Sequence, residues 1–510
     1  MRRDALLIAL VLVAVVLGAW VRTNGADRRW VWQDEVTTML HVAGRTGRDV
    51  GAAHPGTMGE LAAQLREPAA GGPSRVVAAL AAEDAQHPPL YYLGQRLWND
   101  AGGTAFGRRS FSIVLGGLAV LAVGWFAFVL SGARAAAFSV ALAAVSPFLV
   151  LYGQQMREYG LWCALVAASS AALVLAARRG GLRAWALYAA LSAAALWTSP
   201  LSLLLAPAQA IYAAYAGGRA RLVQCAAAYA AALAAFAPWI AVMYGQRAAI
   251  AASNAWSSTP YPAASLAAKM LFTAASSFTD LAYAHRLGIV AGAVVLAAIA
   301  AAAVSLARDQ RATAVALGAI AATTALLPFV LDIVAGSHRS SSSRYLGPLV
   351  IAIVVAAGSV LARMRPRFAA PAAALLILTG AASSAIATSS PVWWDNHGDS
   401  GLIGIGSALV REGSPALVYD GSCADILGLA RIASPAEPVR CGADARAARP
   451  PAGSYVLSPS PALSLALASA GLAAVPVLVG RDESAAARSF QRDRGASGAE
   501  PVLTRIERRR

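Results

Sequence analysis

Charged side chains are scarce in this chain of 510 residues: Asp, Glu, Lys and Arg make up 13% of it, about half the share usual in soluble domains. Hydrophobic residues make up 58%. Lysine is nearly absent, since Lys269 is the only one, so the net charge of +16 comes from arginine. The arginines fall in short loops between apolar stretches and not on one soluble face, which argues against nucleic-acid binding.

Cysteine is rare as well, with four residues in the chain. Cys163 and Cys225 fall within apolar stretches, where we expect them to be inert packing residues. Cys423 and Cys441 fall in a polar C-terminal segment, where a disulfide is permitted if the segment is extracytoplasmic. The sequence patterns of serine hydrolases, zinc proteases, P-loop proteins and dinucleotide-binding proteins are also missing in their proper contexts.

Apolar stretches, by contrast, recur from residue 5 to about residue 389. Each is rich in alanine and long enough to cross roughly 30 Å of hydrocarbon as a helix, which satisfies its own backbone in lipid. The basic start resembles a signal peptide, but Leu17-Gly18-Ala19 is a poor cleavage site, so we expect an uncleaved first span. The eleven predicted spans are 5–21, 110–130, 135–151, 160–177, 184–199, 201–216, 221–243, 287–306, 312–335, 345–362 and 368–389.

The distribution of arginine predicts the orientation of these spans. With the N-terminus inside, every short inner loop is basic, as the positive-inside rule requires. The outer segments then hold nearly all the acids and all six histidines. The sequence therefore predicts a cell-membrane protein with a cytoplasmic N-terminus, an extracytoplasmic C-terminus and its polar chemistry on the outer face.

The first outer loop, 22–109, is long. Its amphipathic stretches at Met58–Leu65 and Val76–Ala82 predict short helices on the membrane surface. The outer loop 244–286 is similar, with ends rich in Ser and Pro.

The composition changes after Trp393-Trp394, and residues 400–510 are polar and rich in Gly and Pro. Three short apolar runs predict buried strands between helical stretches: Ala416–Tyr419, Tyr455–Leu457 and Ala474–Val479. We therefore divide the chain into a transmembrane domain, 1–395, and a small C-terminal extracytoplasmic α/β domain, 396–510.

Adjacent carboxylates follow the first span, at Asp34 and Glu35. Carboxylates at a membrane surface destabilise the protein unless they are solvated or paired with a cation, or they are kept for catalysis or binding. Asp34 is suited to take a proton from an acceptor hydroxyl as a general base, and Glu35 to orient it or hold a metal. The structural alternative is a solvated loop acid or a helix cap.

His87 opens the motif HPPLYYL, residues 87–93. Each proline fixes its own φ, so the pair predicts a rigidly held His87 before a surface helix. We expect His87 and Tyr91 to contact substrate, although a plain helix start would also explain the motif. Use of a divalent metal stays open: Asp34, Glu35 and His87 would make a partial site, but nothing in the sequence sets its geometry.

A dense polar run, YGQQMREYG at 152–160, lies between spans 3 and 4. Arg157 suits a phosphate, because its planar guanidinium donates two hydrogen bonds. Gln155 is a predicted substrate contact. The structural alternative is an ion pair between Arg157 and Glu158.

Two more outer segments supply cations. His338-Arg339-Ser340-Ser341-Ser342-Ser343-Arg344-Tyr345 is either an anion site or a flexible serine-rich linker. Asp332, just before it, is unusual, because carboxylates within membranes normally face a cavity or a partner. Lys269 can neutralise a phosphate as a point charge. Carboxylates and cations on one face suit group transfer from a lipid phosphate, in which the cations stabilise the leaving group.

The order of these motifs resembles the GT-C superfamily of membrane glycosyltransferases, specifically the family 39-like branch of protein O-mannosyltransferases and lipid A aminoarabinose transferases. The resemblance covers roughly residues 1–365. It rests on the acidic pair, on HPPLYYL and on four further motifs: Phe106-Gly107-Arg108-Arg109, Ser146-Pro147 with YGQQMREYG, Ala237-Pro238-Trp239 and Arg344-Tyr345. It implies an α-helical polytopic membrane protein that performs an inverting transfer from a polyprenyl-monophosphate sugar to a glycan, lipid or protein acceptor.

The resemblance also implies roles for individual residues. Asp34 matches the presumed catalytic base, with Glu35 as its neighbour. Arg157 with Tyr159, and Arg344 with Tyr345, match two Arg–Tyr motifs at the donor headgroup. Thr198-Ser199-Pro200 replaces a His-Tyr pair of many relatives, which leaves the donor and acceptor details open.

Two other classes compete with this interpretation. A secondary transporter would show internal repeats and polar groups at the midplane of the membrane, whereas the polar clusters here fall at one face. A flippase of lipid-linked sugar is a closer alternative and stays open. An O-antigen ligase-like transferase would use a diphosphate-linked glycan and one large late loop, whereas the largest loop between spans here is the first.

Overall fold

The computed structural model describes residues 2–66, 68–280, 285–389, 400–413, 416–442, 445, 452–479 and 502–508. The chain forms two compact units. Unit 1 comprises Met1–Asp27, Asp84–Tyr91 and Trp98–Ser389; unit 2 comprises Arg28–Glu83, Tyr92–Leu97 and Ser390–Arg510. Trp393-Trp394, where the composition changes, lies outside the described residues, and the division after residue 395 stays a prediction.

Helices dominate the described chain, and five strands form one sheet. In chain order the helices are α1 (Arg2–Thr23), α2 (Gln33–Val42), α3 (Gly47–Ala52), α4 (Met58–Arg66), α5 (Pro73–Glu83), α6 (Leu90–Asp100), α7 (Ser110–Ser131), α8 (Ala133–Val145), α9 (Pro147–Gln154), α10 (Tyr159–Arg179), α11 (Leu182–Leu196), α12 (Leu205–Gly245), α13 (Arg247–Ser253), α14 (Ala263–Ala275), α15 (His285–Asp309), α16 (Arg311–Ala321), α17 (Leu327–Ala335), α18 (Gly347–Arg363), α19 (Pro366–Ser389), α20 (Ser400–Arg411) and α21 (Pro461–Ser469). The strands are β1 (Leu417–Tyr419), β2 (Val439–Cys441), β3 (Tyr455–Leu457), β4 (Leu472–Val479) and β5 (Val502–Arg508).

Unit 1 contains the apolar helices. Among the described residues, seven helical segments are long and apolar enough to cross a membrane, or eight if the bent pair α8–α9 is one span. A helix lies at each predicted span, and α12 runs through two of them with a kink at Gly217–Gly218. The prediction of a polytopic helical membrane protein is confirmed, while the count of eleven spans and their orientation stay predictions.

Hydrogen bonds with the end of α1 stabilise the break between α8 and α9. Pro147 begins α9, and the two helices meet at an angle of 59°. The guanidinium of Arg22 donates hydrogen bonds to the buried carbonyls of Ala143 and Ala144, near the end of α8. In return, the Gln154 amide donates to the last carbonyls of α1 at 2.8 and 2.9 Å. Backbone groups freed by a helix break in lipid need such partners.

Three glycines allow α7, α9 and α10 to approach closely. A Cβ on Gly116 would lie 2.9 Å from the Cα of Gly153, and a Cβ on Gly160 would lie 3.4 Å from the Gly116 nitrogen. Gly153 of the YGQQMREYG motif is thus explained by packing, since a side chain at Gly153 or at Gly116 would push α7 and α9 apart.

Unit 2 joins the first predicted outer loop to the C-terminal sheet. The backbone nitrogens of Met58 and Gly59 donate to the carbonyls of Glu437 and Pro435, both at 2.9 Å, and Val439 donates to Gly56 at 3.0 Å. The helices predicted at 58–65 and 76–82 are confirmed as α4 and α5. These pairings tie the loop to a segment about 380 residues further along the chain.

The sheet of unit 2 is mixed, with the strand order β2-β1-β3-β5-β4. β1 is parallel to β2 and β3, whereas β5 is antiparallel to β3 and β4. The buried strands predicted at 416–419 and 455–457 are confirmed. β4 forms as predicted, but the expectation that it is buried is wrong: Val475 and Val477 are 40% and 46% exposed. β4 ends the strand order, and an edge strand has a neighbour on one side only.

The cysteines are distributed as expected. Cys423 and Cys441 form a disulfide between the loop after β1 and strand β2. Cys163 and Cys225 are buried free thiols within helices α10 and α12. The permitted disulfide and the packing role of the other two cysteines are therefore both confirmed.

Candidate active-site cavity

Unit 1 contains a cavity of about 680 Å³, a size typical of small-molecule sites. Its polar and aromatic lining residues are Gln86, His87, Glu158, Tyr159, Ser199, Asn254, Trp256, Ser258, Thr324, Asp332, Ser337, Arg339, Ser340 and Tyr345. Its apolar lining residues are Pro200, Leu201, Leu204, Met243, Pro328, Leu331, Ala335 and Leu346.

His87 reaches this cavity from a segment that is fixed on both sides. Its backbone nitrogen donates to the Asp84 carbonyl at 2.9 Å, and the Trp239 indole donates to the Ala85 carbonyl at 3.0 Å. Two buried prolines follow, and α6 begins at Leu90. The predicted position of His87 just before a helix is confirmed, and its rigidity stays a prediction.

His87, Arg157 and Glu158 form a charge cluster, in which Arg157 and Glu158 are buried and the His87 side chain is 20% exposed. His87 Nδ1 lies 2.9 Å from Glu158 Oε1, and Arg157 Nη2 lies 3.0 Å from His87 Nε2. Arg157 Nε lies 3.5 Å from Glu158 Oε2, and both of these side chains are 3% exposed. Asp84 Oδ1 lies 3.8 Å from His87 Nε2. The Arg157–Glu158 ion pair is present, as part of a larger cluster on the cavity wall.

The cluster shifts the pKa values of its members. Burial alone would raise the pKa of Glu158, but Arg157 and His87 outweigh it and lower the pKa to about 2. Burial alone would lower the pKa of His87, but the charges of Asp84 and Glu158 prevail over burial and Arg157, so this pKa is raised. The cluster therefore keeps Glu158 ionised and strengthens the binding of a proton by His87.

Asp332 organises the loop that follows α17. Its Oδ2 accepts a hydrogen bond from the backbone of Ser340 at 2.6 Å, and its Oδ1 accepts one from the Ser337 hydroxyl. Arg339, within this loop, lines the cavity and donates through Nε to the Ser257 hydroxyl at 3.3 Å. Among the described residues, nothing accepts a hydrogen bond from its terminal amino groups. Asp332 does face a cavity, as its place in an apolar helix suggested.

Aromatic rings and cations stack beside the same loop. The ring of His338 is stacked on Tyr261, with centroids 4.0 Å apart, and meets Trp256 edge-on at 5.5 Å. His338 Nδ1 lies 2.7 Å from the Thr259 carbonyl, which fixes the ring. The Arg344 guanidinium lies 5.8 Å from the Trp256 centroid, and Lys269 Nζ lies 5.9 Å from that of Tyr261. These distances are those of cation–π contacts.

Most of the predicted site residues of unit 1 gather at this cavity. His87, Tyr159 and Tyr345 line it. Arg157, Arg344 and His338 contact its lining residues. Lys269 lies one residue further away, because it contacts Tyr261, which stacks on His338 and is not part of the lining.

Two predicted substrate contacts in unit 1 lie elsewhere. Tyr91 is fully buried, and its hydroxyl hydrogen-bonds Ser112 at 2.7 Å. Gln155 is 3% exposed, and its amide finds no hydrogen-bond partner among the described residues. Neither side chain is part of the cavity lining.

Asp34 and Glu35 belong to unit 2, in the first turn of α2. Asp34 is half-buried, and its carbonyl accepts a hydrogen bond from the Thr38 hydroxyl at 2.9 Å. Glu35 is fully buried. Across the residues that the structure describes, no group of three His, Cys, Asp or Glu side chains is arranged to hold a metal ion. The catalytic roles of both acids and the use of a divalent metal stay predictions.

Sequence reasoning missed several lining residues. Gln86, Asn254 and Trp256 line the cavity but carry no charge, and no motif marks them. Glu158 was weighed only as a partner of Arg157. Arg339 was weighed only as part of the serine-rich segment, although it lines the cavity and Arg344 does not. The place of Glu158 in a polar run between two predicted spans is the one sequence signal that pointed to it.

Comparison with known proteins defines the class of this fold. Residues 86–244 match a family model described as dolichyl-phosphate-mannose-protein mannosyltransferase, which covers less than half of the chain. The comparison with curated proteins found no match. Together with the solved structures described next, this match confirms the predicted resemblance to GT-C membrane glycosyltransferases.

The particular structure that it resembles is ArnT from Cupriavidus metallidurans. The crystal structure of ArnT bound to undecaprenyl phosphate is 15% identical with a TM-score of 0.56, covering 98% of this chain and 97% of that one. The crystal structure of ArnT in the apo state is 14% identical with a TM-score of 0.57, and the match covers 99% of this chain and 98% of that one. An oligosaccharyltransferase from Archaeoglobus fulgidus, in complex with Zn and sulfate, has a TM-score of 0.44 at 12% identity and covers 84% of this chain and 62% of that one. The chain is thus a multi-pass membrane protein with the ArnT fold.

Proposed function

We propose that this protein is an inverting glycosyltransferase that moves a sugar from a polyprenyl-monophosphate carrier to an acceptor outside the cytoplasm. One observation carries the proposal: a chain with the fold of ArnT over almost its whole length contains a cavity with cationic and apolar walls. ArnT has been seen with undecaprenyl phosphate bound. A lipid phosphate needs both kinds of wall, one for its headgroup and one for its chain.

The cations supply the phosphate-binding chemistry. Arg339 offers its terminal amino groups at the cavity, while Arg157 lies behind His87 and Glu158. We assign Arg339 to the donor phosphate together with the predicted Arg157, Arg344 and Lys269. Guanidinium groups bind phosphate oxygens in pairs of hydrogen bonds. The apolar residues Leu201, Leu204, Met243 and Leu331 would hold the first isoprene units.

The proposed reaction is a single displacement. The acceptor hydroxyl attacks the anomeric carbon, a new C–O bond forms, and the bond from that carbon to the phosphate oxygen breaks. Asp34 takes the hydroxyl proton, and Glu35 holds Asp34 in place. The lipid phosphate leaves with one more negative charge, which the arginines stabilise. The acceptor is a protein, a lipid or an envelope glycan.

The site would face the outside of the cell membrane. The positive-inside pattern and the Cys423–Cys441 disulfide support this orientation, because disulfides persist in oxidising compartments. A cysteine at exposed Ser258 should react with a membrane-impermeant maleimide in intact cells, and a cysteine at exposed Arg365 should not. The background is low, since the free native cysteines are buried. Labelling of the Arg365→Cys variant without labelling of the Ser258→Cys variant would show the opposite orientation.

A transfer assay tests the function itself. Purified protein is incubated with a panel of radiolabelled polyprenyl-phosphate sugars and membrane extract, and the label moved to any acceptor is counted. The wild type should transfer from one donor, and Asp34→Asn should not. Asp309→Asn, an exposed acid at the end of α15, is the matched control and should be as active as the wild type.

The other outcomes are equally informative. Equal transfer by the wild type and Asp34→Asn would keep the enzyme and move the base to Glu35. A lack of transfer from every donor, with folded protein, would favour the transporter or flippase. Transfer only from a diphosphate-linked glycan would favour the ligase-like enzyme. Parallel reactions with EDTA test the use of a divalent metal.

A further inference from the structure

One part of the cavity wall carries neutral polar groups beside an aromatic ring. Trp256 lines the cavity and is 45% exposed. Asn254, two residues earlier, donates a hydrogen bond from Nδ2 to Gln86 Oε1 at 2.9 Å, so Gln86 lies beside Asn254 on the same part of the wall. Ser258 completes the set.

These residues keep polar atoms available to a ligand. Within the part of the chain that the structure describes, Gln86 Nε2, Asn254 Oδ1 and the Ser258 hydroxyl have no hydrogen-bond partner, while Gln86 Oε1 accepts from Asn254 and Ser253. An amide presents one donor and one acceptor whichever way it is turned. The wall therefore offers donors and acceptors together, without charge.

A wall with both donors and acceptors but no charge suits a polyol better than a phosphate. Each sugar hydroxyl both donates and accepts a hydrogen bond, whereas a phosphate oxygen only accepts and favours cations. The face of an indole carries a negative partial charge that attracts the C–H bonds of a pyranose ring. Contacts with His338 and Arg344 fix the Trp256 ring, which lowers the entropy lost on stacking.

We propose that Trp256, Asn254, Gln86 and Ser258 form the subsite for the donor sugar ring, with the ring stacked on Trp256. The subsite rests on the proposed function and adds to it the place where the sugar, as distinct from the lipid phosphate, is recognised. Arg339 lies beside it through its hydrogen bond to Ser257, so sugar and phosphate would occupy neighbouring positions.

The test compares two lipids on the same protein. The probes are undecaprenyl phosphate alone and undecaprenyl phosphate carrying mannose, glucose, galactose or 4-amino-4-deoxyarabinose, and the affinity of detergent-purified protein for each is measured. Wild type should bind at least one sugar-bearing lipid more tightly than the bare lipid. Trp256→Ala should weaken that binding by about 3- to 10-fold and leave the bare lipid unaffected. Trp256→Phe should restore most of the difference, and Asn254→Ala should act like Trp256→Ala.

Trp20→Ala is the matched control, since Trp20 is an exposed tryptophan of α1 that does not line the cavity. Binding of the bare lipid by Trp256→Ala shows that the variant is folded. An equal effect of Trp256→Ala on both lipids, or no effect on either, would overturn the subsite. Failure of the proposed function gives a different result, because the wild type would then transfer no sugar from any of these lipids in the transfer assay, whichever of them it binds.

Discussion

The charge cluster of His87, Arg157 and Glu158 makes a stability prediction that does not depend on activity. Glu158→Gln keeps the volume of the side chain and removes its charge, which leaves a guanidinium and an imidazole facing each other in a buried site. The pKa of Glu158 is lowered from 4.5 to about 2. A shift of this size corresponds to a contribution of about 3 kcal/mol to the free energy of unfolding at neutral pH. Breaking a buried ion pair costs a similar amount.

A double-mutant cycle measures this contribution. Arg157→Met, Glu158→Gln and the double variant are unfolded by SDS titration in mixed micelles. We expect each single variant to lose about 3 kcal/mol and the double variant to lose much less than the sum, a coupling of about 2 kcal/mol. The matched control is Asp309→Asn, which removes an exposed acid and should change stability by less than about 0.5 kcal/mol.

The pH dependence of the same variants follows from the signs of the shifts. The lowered pKa of Glu158 gives stability that is complete above its ordinary value of 4.5 and is lost as the pH falls towards about 2. The raised pKa of His87 gives stability that is complete below its ordinary value of 6.5 and is lost as the pH rises through the raised value. The loss of stability caused by Glu158→Gln should therefore become smaller as the pH rises from 6.5 through the raised pKa of His87. A coupling below about 0.5 kcal/mol, or an effect that grows with pH, would refute the reasoning.

Three further predictions concern packing, the disulfide and the loop after α17. Gly116→Ala should destabilise unit 1 by roughly 1–3 kcal/mol, because its Cβ would lie 2.9 Å from Gly153 Cα, whereas Gly117→Ala, with open space, should be neutral or stabilising in the same SDS titration. Cys423→Ser should lower the free energy of unfolding of unit 2 by about 3 kcal/mol, the value expected for a loop of this length, and unchanged protease resistance would contradict it. Asp332→Asn should retain most donor affinity and Asp332→Ala should lose it, because the side chain holds the loop that carries Arg339; equal affinity in both variants would separate Asp332 from the site.

The helices of unit 1 were predictable because hydrocarbon selects long apolar runs, and few other sequences satisfy the backbone in lipid. The gathering of His87, Tyr159 and Tyr345 at one cavity agrees with their predicted common face. Neutral lining residues such as Asn254 and Trp256 could not be predicted, since only the fold brings them to the cavity.

Unit 2 was harder to predict from its sequence. The pairing of residues 56–59 with 435–439 joins segments with no local signal for each other. Strand β5, Val502–Arg508, was not predicted, because its hydrophobic residues are few and three of its seven positions are charged. The strand is stabilised by its two neighbours in the sheet, β3 and β4, and not by its own composition.

The measurement that tests the central claim most directly is transfer and donor binding by the wild type and by Asp34→Asn, side by side. The account predicts that both proteins bind the same polyprenyl-phosphate sugar with similar affinity, and that only the wild type moves the sugar to an acceptor. A wild type that binds this donor but transports it without breaking the bond to phosphate would contradict the account.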